Sequence, residues 1–403
     1  MDPASKPRPT LGAYIVAVHL FCVPSFGYSE SPGILIIPQI TGALLVAYAL
    51  FDMFKTQKIS IPLEIRVYGF LGLWAAITFL GGISSEELRP LGSLIKVIAT
   101  ALACAQLIKN EIDFVVAMRV FVISVLFVYF LNKDALRFLR IADKLTESDR
   151  FAGTMMNANT AAIYSVAVLW SCIHLWILSK RKLMGLAFWI IPIGISLLII
   201  YYSGSKKGLI GIGLFAILFA RLLHISKNRS SLRKSLILLV SVALIILTAL
   251  FIYTSPFFSR LEQLYYGTAK TDINRYEFVR EAINVWLMNG KTFIMGVGYD
   301  NFRLVNYLGD YAHSTPFELL ASNGIIGFSL FMGFLFLLYY KFVFLYKKAK
   351  NWDLKSIFFS AIIFLSIYSF FIVGAVLHES RELGPILGSL AGYGQCHFRK
   401  IGQ

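Results

Sequence analysis

Charge is scarce in this chain. Only 15% of its 403 residues are charged, against 57% hydrophobic, and the mean hydropathy is +0.70. A soluble domain of this length would carry more charge, so the composition excludes one and predicts an all-α, polytopic integral membrane protein. Alternation of apolar and polar residues is missing as well. The hydrophobic runs are continuous, which excludes transmembrane β-strands. The four cysteines, Cys22, Cys104, Cys172 and Cys396, lie in or at the ends of apolar runs. They show no metal or thiol-redox spacing, which argues against a disulfide framework. No small-x-small cleavage site follows the first run, so it reads as a retained anchor. The chain has no Gly/Ser linker and no repeat, so residues 1–403 read as one membrane domain. The lack of inverted halves weighs against many transporter folds.

What is present is a series of apolar runs near the ~20 residues a membrane helix needs. Candidates fall near 11–27, 33–54, 61–81, 90–108, 112–131, 159–178, 184–202, 208–224, 235–254, 314–345 and 355–377, with a shorter one at 384–396. The expectation is therefore about 12 transmembrane helices. Basic residues in short loops set the orientation. With both termini inside, that side collects Lys6, Arg8, Lys55, Lys58, Lys109, Lys180 to Lys182, Lys227 to Lys234, Lys341 to Lys355, Arg399 and Lys400. The short outside loops hold Arg89, Lys206, Lys207 and Arg381.

Lys and Arg number 38 against 22 acidic residues, a net charge of +16. Contact with anionic lipid headgroups explains part of it. Two longer outside loops, 132–158 and 255–313, hold a further five and six basic residues, available for an anion on that face. No compact basic domain lies outside the membrane, which argues against a nucleic-acid partner.

The segment from Asp272 to Gly327 is polar and patterned, although long hydrophobic runs flank it. Asp272 can cap a helix over about 272–289, whose apolar positions Ile273, Tyr276, Val279, Ile283 and Trp286 keep helical spacing. Asn289-Gly290 then stops it. The helix is expected to lie along the membrane surface as a lid over a cavity. Arg275 falls in its first turn, where free N–H groups and the macrodipole favour an anion; Arg280 follows in the same helix. Read blandly, Arg275 only pairs with Asp272 or Glu277. The turn Gly296-Val297-Gly298-Tyr299-Asp300 offers two glycines that can take positive φ near a ligand, or is a plain loop.

His313 opens the next run as His-Ser-Thr-Pro-Phe-Glu, with Ser314 as the expected cap, Pro316 in the first turn and Glu318 one turn deeper. An imidazole at the membrane–water boundary can take a proton from an attacking hydroxyl. It can equally be an interfacial histidine without a role. Only Asp310 lies at metal-ligand spacing from it, so no metal is expected.

Two shorter outside turns add to this. Ser203-Gly204-Ser205-Lys206-Lys207-Gly208 is either a pyrophosphate cradle at a helix start or a charged hairpin turn. In Arg150-Phe151-Ala152-Gly153-Thr154-Met155-Met156-Asn157-Ala158-Asn159, Arg150 is a further outer cation, and Asn157 and Asn159 can bond sugar hydroxyls or simply cap a helix. Lys96, in the outer half of the fourth run, is costly unless it lines a polar cavity.

The order of these motifs resembles the bacterial O-antigen polymerase and O-antigen ligase family over about residues 145–330. Arg150, Gly153, Thr154, Asn157 and Asn159 match its first motif; Gly204, Ser205, Lys206 and Lys207 match its short basic turn. Arg275, then Gly296 and Gly298, then His313, Glu318, Gly324 and Gly327 match its C-terminal signature. Lysines stand where the family has arginine in the short turn, and Ser314 stands where it has asparagine.

The resemblance implies a GT-C-like, metal-independent, inverting glycosyltransferase without a cofactor, multi-pass in the bacterial inner membrane. Its site would lie on the periplasmic face, with 255–313 as a long helical periplasmic loop. The donor would be an undecaprenyl-pyrophosphate-linked oligosaccharide, and the acceptor another lipid-linked glycan or lipid A core. His313, Arg275 and Glu318 would be catalytic. Lys206, Lys207, Arg150, Arg280 and Lys96 would meet the pyrophosphate. Asn157, Asn159, Gly296, Gly298, Tyr299 and Ser314 would meet sugar or acceptor. A lipid-linked glycan flippase is the reading of a different class; it calls for charge pairs deep in the membrane, of which the sequence shows few.

Overall fold

A computed structural model of the protein describes residues 8–27, 32–81, 88–130, 158–178, 183–203, 205, 207–208, 210–216, 270–373, 378, 380–381 and 383–401. Every named element among them is a helix. In chain order these are α1 (Leu11–Phe26), α2 (Pro32–Thr56), α3 (Leu63–Gly81), α4 (Arg89–Leu107), α5 (Glu111–Phe130), α6 (Ala158–Leu178) and α7 (Leu183–Ser203). After them come α8 (Lys270–Leu287), α9 (Gly290–Met295), α10 (Phe302–Val305), α11 (Thr315–Lys348), α12 (Trp352–Ile372) and α13 (Leu383–Ile401). Among the described residues seven helices, α2 to α6, α11 and α12, are long and apolar enough to cross a membrane. The helix α1 and the stretch Trp189–Ser203 are apolar but shorter. Most of the expected spans at 208–224 and 235–254 lies outside the described residues.

Apolar helices gain little by association in lipid, so close packing has to hold the bundle. The seam between α4 and α13 shows how. On α13, Gly384, Gly388 and Gly392 recur every four residues and face Val97, Ala101 and Ala105, which recur in step on α4. A Cβ on Gly388 would stand 2.2 Å from the Ala101 carbonyl oxygen. The two backbones therefore touch along a stripe where no side chain fits. Around α6, aromatic rings fill the core: Trp170 stacks on Phe364 at 4.6 Å, and Phe114 stacks on Tyr393 at 4.5 Å.

One lysine counted among the cytoplasmic basic residues lies inside the bundle. Lys341 is buried in α11; its Nζ donates to Glu64 Oε1 of α3 at 2.5 Å and to Gln395 Oε1 of α13 at 2.9 Å. A buried ammonium needs such partners, because desolvation outweighs what a lone charge could recover.

The helix α11 covers the expected run at 314–345, and it is not continuous. It carries a break at Gly324, with φ 66° and ψ −170°, in a region of backbone space that is essentially glycine-only. The break divides a short first segment, from Thr315, from the long remainder that ends at Lys348.

Replacing Gly388 by Val should force α4 and α13 apart. Detergent-purified protein should then melt at least ~5 °C lower, since overpacking typically costs about 1–3 kcal/mol. Gly333→Ala, where the nearest atom to a new Cβ is 3.9 Å away, should leave the melting temperature within about a degree.

Candidate functional site

The break at Gly324 frees carbonyls that the α11 ladder would otherwise use. Three of them find donors elsewhere. Val297 N donates to Ala321 O at 2.9 Å, Gly298 N to Ser322 O at 3.0 Å, and Trp74 Nε1 of α3 to Asn323 O at 2.9 Å. Asn323 Nδ2 also reaches Thr78 Oγ1 at 3.0 Å.

The approach is close enough to require glycine on both sides. A Cβ on Gly296 would lie 2.3 Å from Ser322 C, and one on Gly324 would lie 2.2 Å from Ile294 O. Gly296, with φ 71°, closes α9, while Gly298 has φ 107°. The two glycines of the turn are thus spent on a backbone crossing with α11. Tyr299, which follows them, is buried, with its ring edge-on to His378 at 6.0 Å.

His313 sits just before α11 with φ 52°, a left-handed conformation that few residues without special cause adopt. Glu318 holds the turn. Its carboxylate accepts from Ala312 N at 2.7 Å and from Ser322 Oγ at 2.9 Å, inside the protein. The His313 imidazole meets Asp310 at 3.4 Å, Tyr311 at 4.6 Å between ring centres and Phe278 of α8 at 5.1 Å. About a third of the side chain remains exposed. Asn306 orders the loop ahead of it, donating to Phe302 O and Asp310 O and accepting from Leu308 N.

Ser314 does occupy the N-cap position, but its side chain makes no cap bond. Its Oγ is buried and has no hydrogen-bond partner among the described residues. The group that reaches back over the helix start is Glu318, because a carboxylate there spans to the Ala312 amide.

The helix α8 lies over the first segment of α11, burying Ala282 and Val285 with Ala312 and Ala321, while Phe278 is buried against His313. This face is offset from the expected one: Tyr276 is 70% exposed. Ala282, fully buried, allows the close approach that the larger residues would prevent. Asn289 also acts differently from expectation. It accepts from Thr292 N at 2.9 Å and forms a capping box that opens α9.

The backbone of Arg275 falls in α8, one turn before Phe278, and Arg280 is exposed on the same helix. Lys207 meets the end of α12. Its Nζ donates to Phe371 O, at the end of α12, at 2.9 Å and lies near the Phe370 and Phe371 rings. Asn159 is half-buried in the first turn of α6. Lys96 is exposed on α4, where it lines a groove with α1 and α2. Arg150, Asn157 and Lys206 lie outside the described residues.

The sequence reading passed over His378, between α12 and α13. It is buried, its carbonyl accepts from Tyr68 Oη at 2.5 Å, and its Nδ1 has no partner among the described residues. Burial lowers its pKa to about 4, so at neutral pH it is an uncharged imidazole beneath the Tyr299 turn. The only sequence signal for it was a short polar stretch between two apolar runs.

Glu318→Ala should release the Ala312 amide, raising its hydrogen-exchange rate at least ~10-fold, in line with loss of a charge-assisted bond worth about 1.5–3 kcal/mol. Glu318→Gln keeps one carbonyl oxygen for that amide and should stay within a few-fold of the parent.

In a sequence comparison no curated protein matches the chain. A family model described as O-Antigen ligase matches residues 191–332. That stretch contains Lys207, Arg275, the Gly296 and Gly298 turn, His313, Glu318 and the Gly324 break, so over about a third of its length the chain is similar to the O-antigen ligase family, which supports the resemblance read from the motifs.

Proposed function

We propose that this protein is an inverting, metal-independent glycosyltransferase that moves a glycan from an undecaprenyl pyrophosphate carrier at the periplasmic face of the bacterial inner membrane. Two broader facts stand behind it. Family members are glycosyltransferase-like enzymes acting on lipid-linked glycans, and the apolar helices mark an integral membrane protein. The observation that carries the finer reading is His313. It lies inside the matched domain, in a strained backbone conformation, tied down on both sides by Asp310 and Glu318 and still part-exposed.

In this reading His313 orients or deprotonates the acceptor hydroxyl, and the hydroxyl oxygen displaces the pyrophosphate at the anomeric carbon with inversion. Charge develops on the leaving pyrophosphate, so fixed cations lower the barrier. Arg275, Lys206 and Lys207 fill that role, assisted by Arg150, Arg280 and Lys96. Lysines in the short turn act as point charges, without the bidentate grip of arginine. In the same reading Asn157 and Asn159 meet sugar hydroxyls, whereas the buried hydroxyl of Ser314 does not. Glu318 acts as a positioning residue: both its oxygens already accept hydrogen bonds from the turn and from Ser322.

Both termini are assigned to the cytoplasm from the basic loops. For the acceptor we favour a second lipid-linked repeat, hence a surface-polysaccharide polymerase, because the Gly204 to Lys207 turn and the run Tyr299-Asp300-Asn301-Phe302 fit that branch of the resemblance better. Transfer to lipid A core is the alternative.

His313→Ala and Arg275→Ala should each lower glycan transfer by at least ~100-fold, within the range general-base and electrostatic contributions cover, while both variants still insert at parental levels. Full transfer by either variant would sink the assignment. The acceptor can be read from a deletion strain on a polysaccharide gel. Loss of a polymerase leaves a core capped with one repeat; loss of a ligase leaves the core uncapped.

A further inference from the structure

Away from the Gly324 crossing, α1, α2 and α4 enclose a groove of about 500 Å³. On α2, Leu35, Gln39, Gly42, Val46 and Leu50 line it along one face. The ~15 residues from Leu35 to Leu50 extend about 22 Å along the helix, a large part of a bilayer's hydrocarbon thickness. The walls are mostly apolar, and charge appears at one end only, as Lys96 of α4 and Arg381. Midway, His19 is tied to Thr41 Oγ1 at 3.2 Å, and Thr100 Oγ1 donates to Lys96 O at 3.0 Å.

Lys96 is exposed and forms no side-chain hydrogen bond or ion pair among the described residues. Arg381 reaches across the same stretch of α4, with Nη2 3.5 Å from Ser93 Oγ, one turn from Lys96. An ammonium within a membrane span is costly unless something answers its charge.

We propose that this groove holds the single polyprenyl chain of the lipid-linked donor, with the donor's phosphates on Lys96 and Arg381. The assignment rests on the glycosyl-transfer reading above and gives that donor a place in the bundle. Shape and charge favour this occupant: one long apolar channel suits one long chain, and two cations at its head suit a pyrophosphate. The loop that carries Arg381 also connects the groove to the candidate site. His378, three residues earlier, meets Tyr299 of the Gly296–Gly298 turn.

The test measures binding, with no glycan transferred. Purified protein in phosphatidylcholine nanodiscs is titrated with undecaprenyl pyrophosphate and with farnesyl pyrophosphate. The long chain should bind at least ~10-fold tighter, as the area of several buried isoprene units predicts. Ala47→Trp fills the groove and should erase that preference. Ala43→Leu, a smaller intrusion, should reduce it if Ala47→Trp does not fold. Lys96→Ala combined with Arg381→Ala should weaken both pyrophosphates about 10-fold and leave the chain-length preference in place. A preference untouched by filling the groove would overturn the proposal. So would displacement of undecaprenyl pyrophosphate by an equal concentration of phosphatidylglycerol, which would mark a general phospholipid site. Groove binding that behaves as expected in a protein that transfers no glycan would refute the transfer reading alone.

Discussion

A helix that breaks inside a hydrophobic bundle leaves backbone carbonyls that lipid cannot satisfy, and this protein answers that constraint at Gly324. The carbonyls of Ala321, Ser322 and Asn323 are taken up by a turn and by an indole from α3. Non-helical backbone at membrane depth persists only where protein or water covers it, so the break and its donors must exist together. Both partners approach at backbone contact, and this is why glycine stands at 296 and at 324. Much of what is distinctive at this end of the molecule follows from that crossing. It fixes the turn after α9, and the turn in turn buries Tyr299 against His378.

The same crossing sets the stage for His313. A short first segment of α11 projects beyond the break, and its Glu318 reaches back to the Ala312 amide. The histidine is thereby held in a left-handed conformation rather than on a flexible boundary. The helix α8 closes over this segment through Ala282 and Val285, bringing the Phe278 ring against the imidazole. So many restraints on one part-exposed imidazole suit the proton transfer proposed for it, which depends on holding a donor–acceptor geometry.

Elsewhere the bundle relies on close packing. Gly384, Gly388 and Gly392 let α13 lie directly on Val97, Ala101 and Ala105 of α4. With one face of α4 committed to that seam, another of its faces turns Lys96 toward α1 and α2. The groove there and the glycine seam are two consequences of one helix placed between three neighbours.

The sequence alone determined the class of protein, because hydrophobic runs near the thickness of a bilayer admit few other readings. It also picked out the segment from Asp272 to Gly327, since polar residues between such runs are costly without a use, and it named His313, Arg275 and Glu318. It could not say what the residues do to one another. Ser314 has the right chemistry and position for a cap, yet its hydroxyl is turned into the protein and Glu318 bonds the turn. Tyr276 has the right spacing for a buried face, yet Ala282 and Val285 are the residues that meet α11. Gly296 and Gly298 read as a ligand-facing turn, and the tertiary structure uses them against Gly324. Lys341 read as one of several basic residues on one side of the bundle, and packing gives it Glu64 as a buried partner. In each case periodicity and residue type limit what a side chain can do, while the partner lies elsewhere in the chain, from a few residues away for Glu318 to hundreds for Lys341. Only packing decides which of the permitted contacts is made.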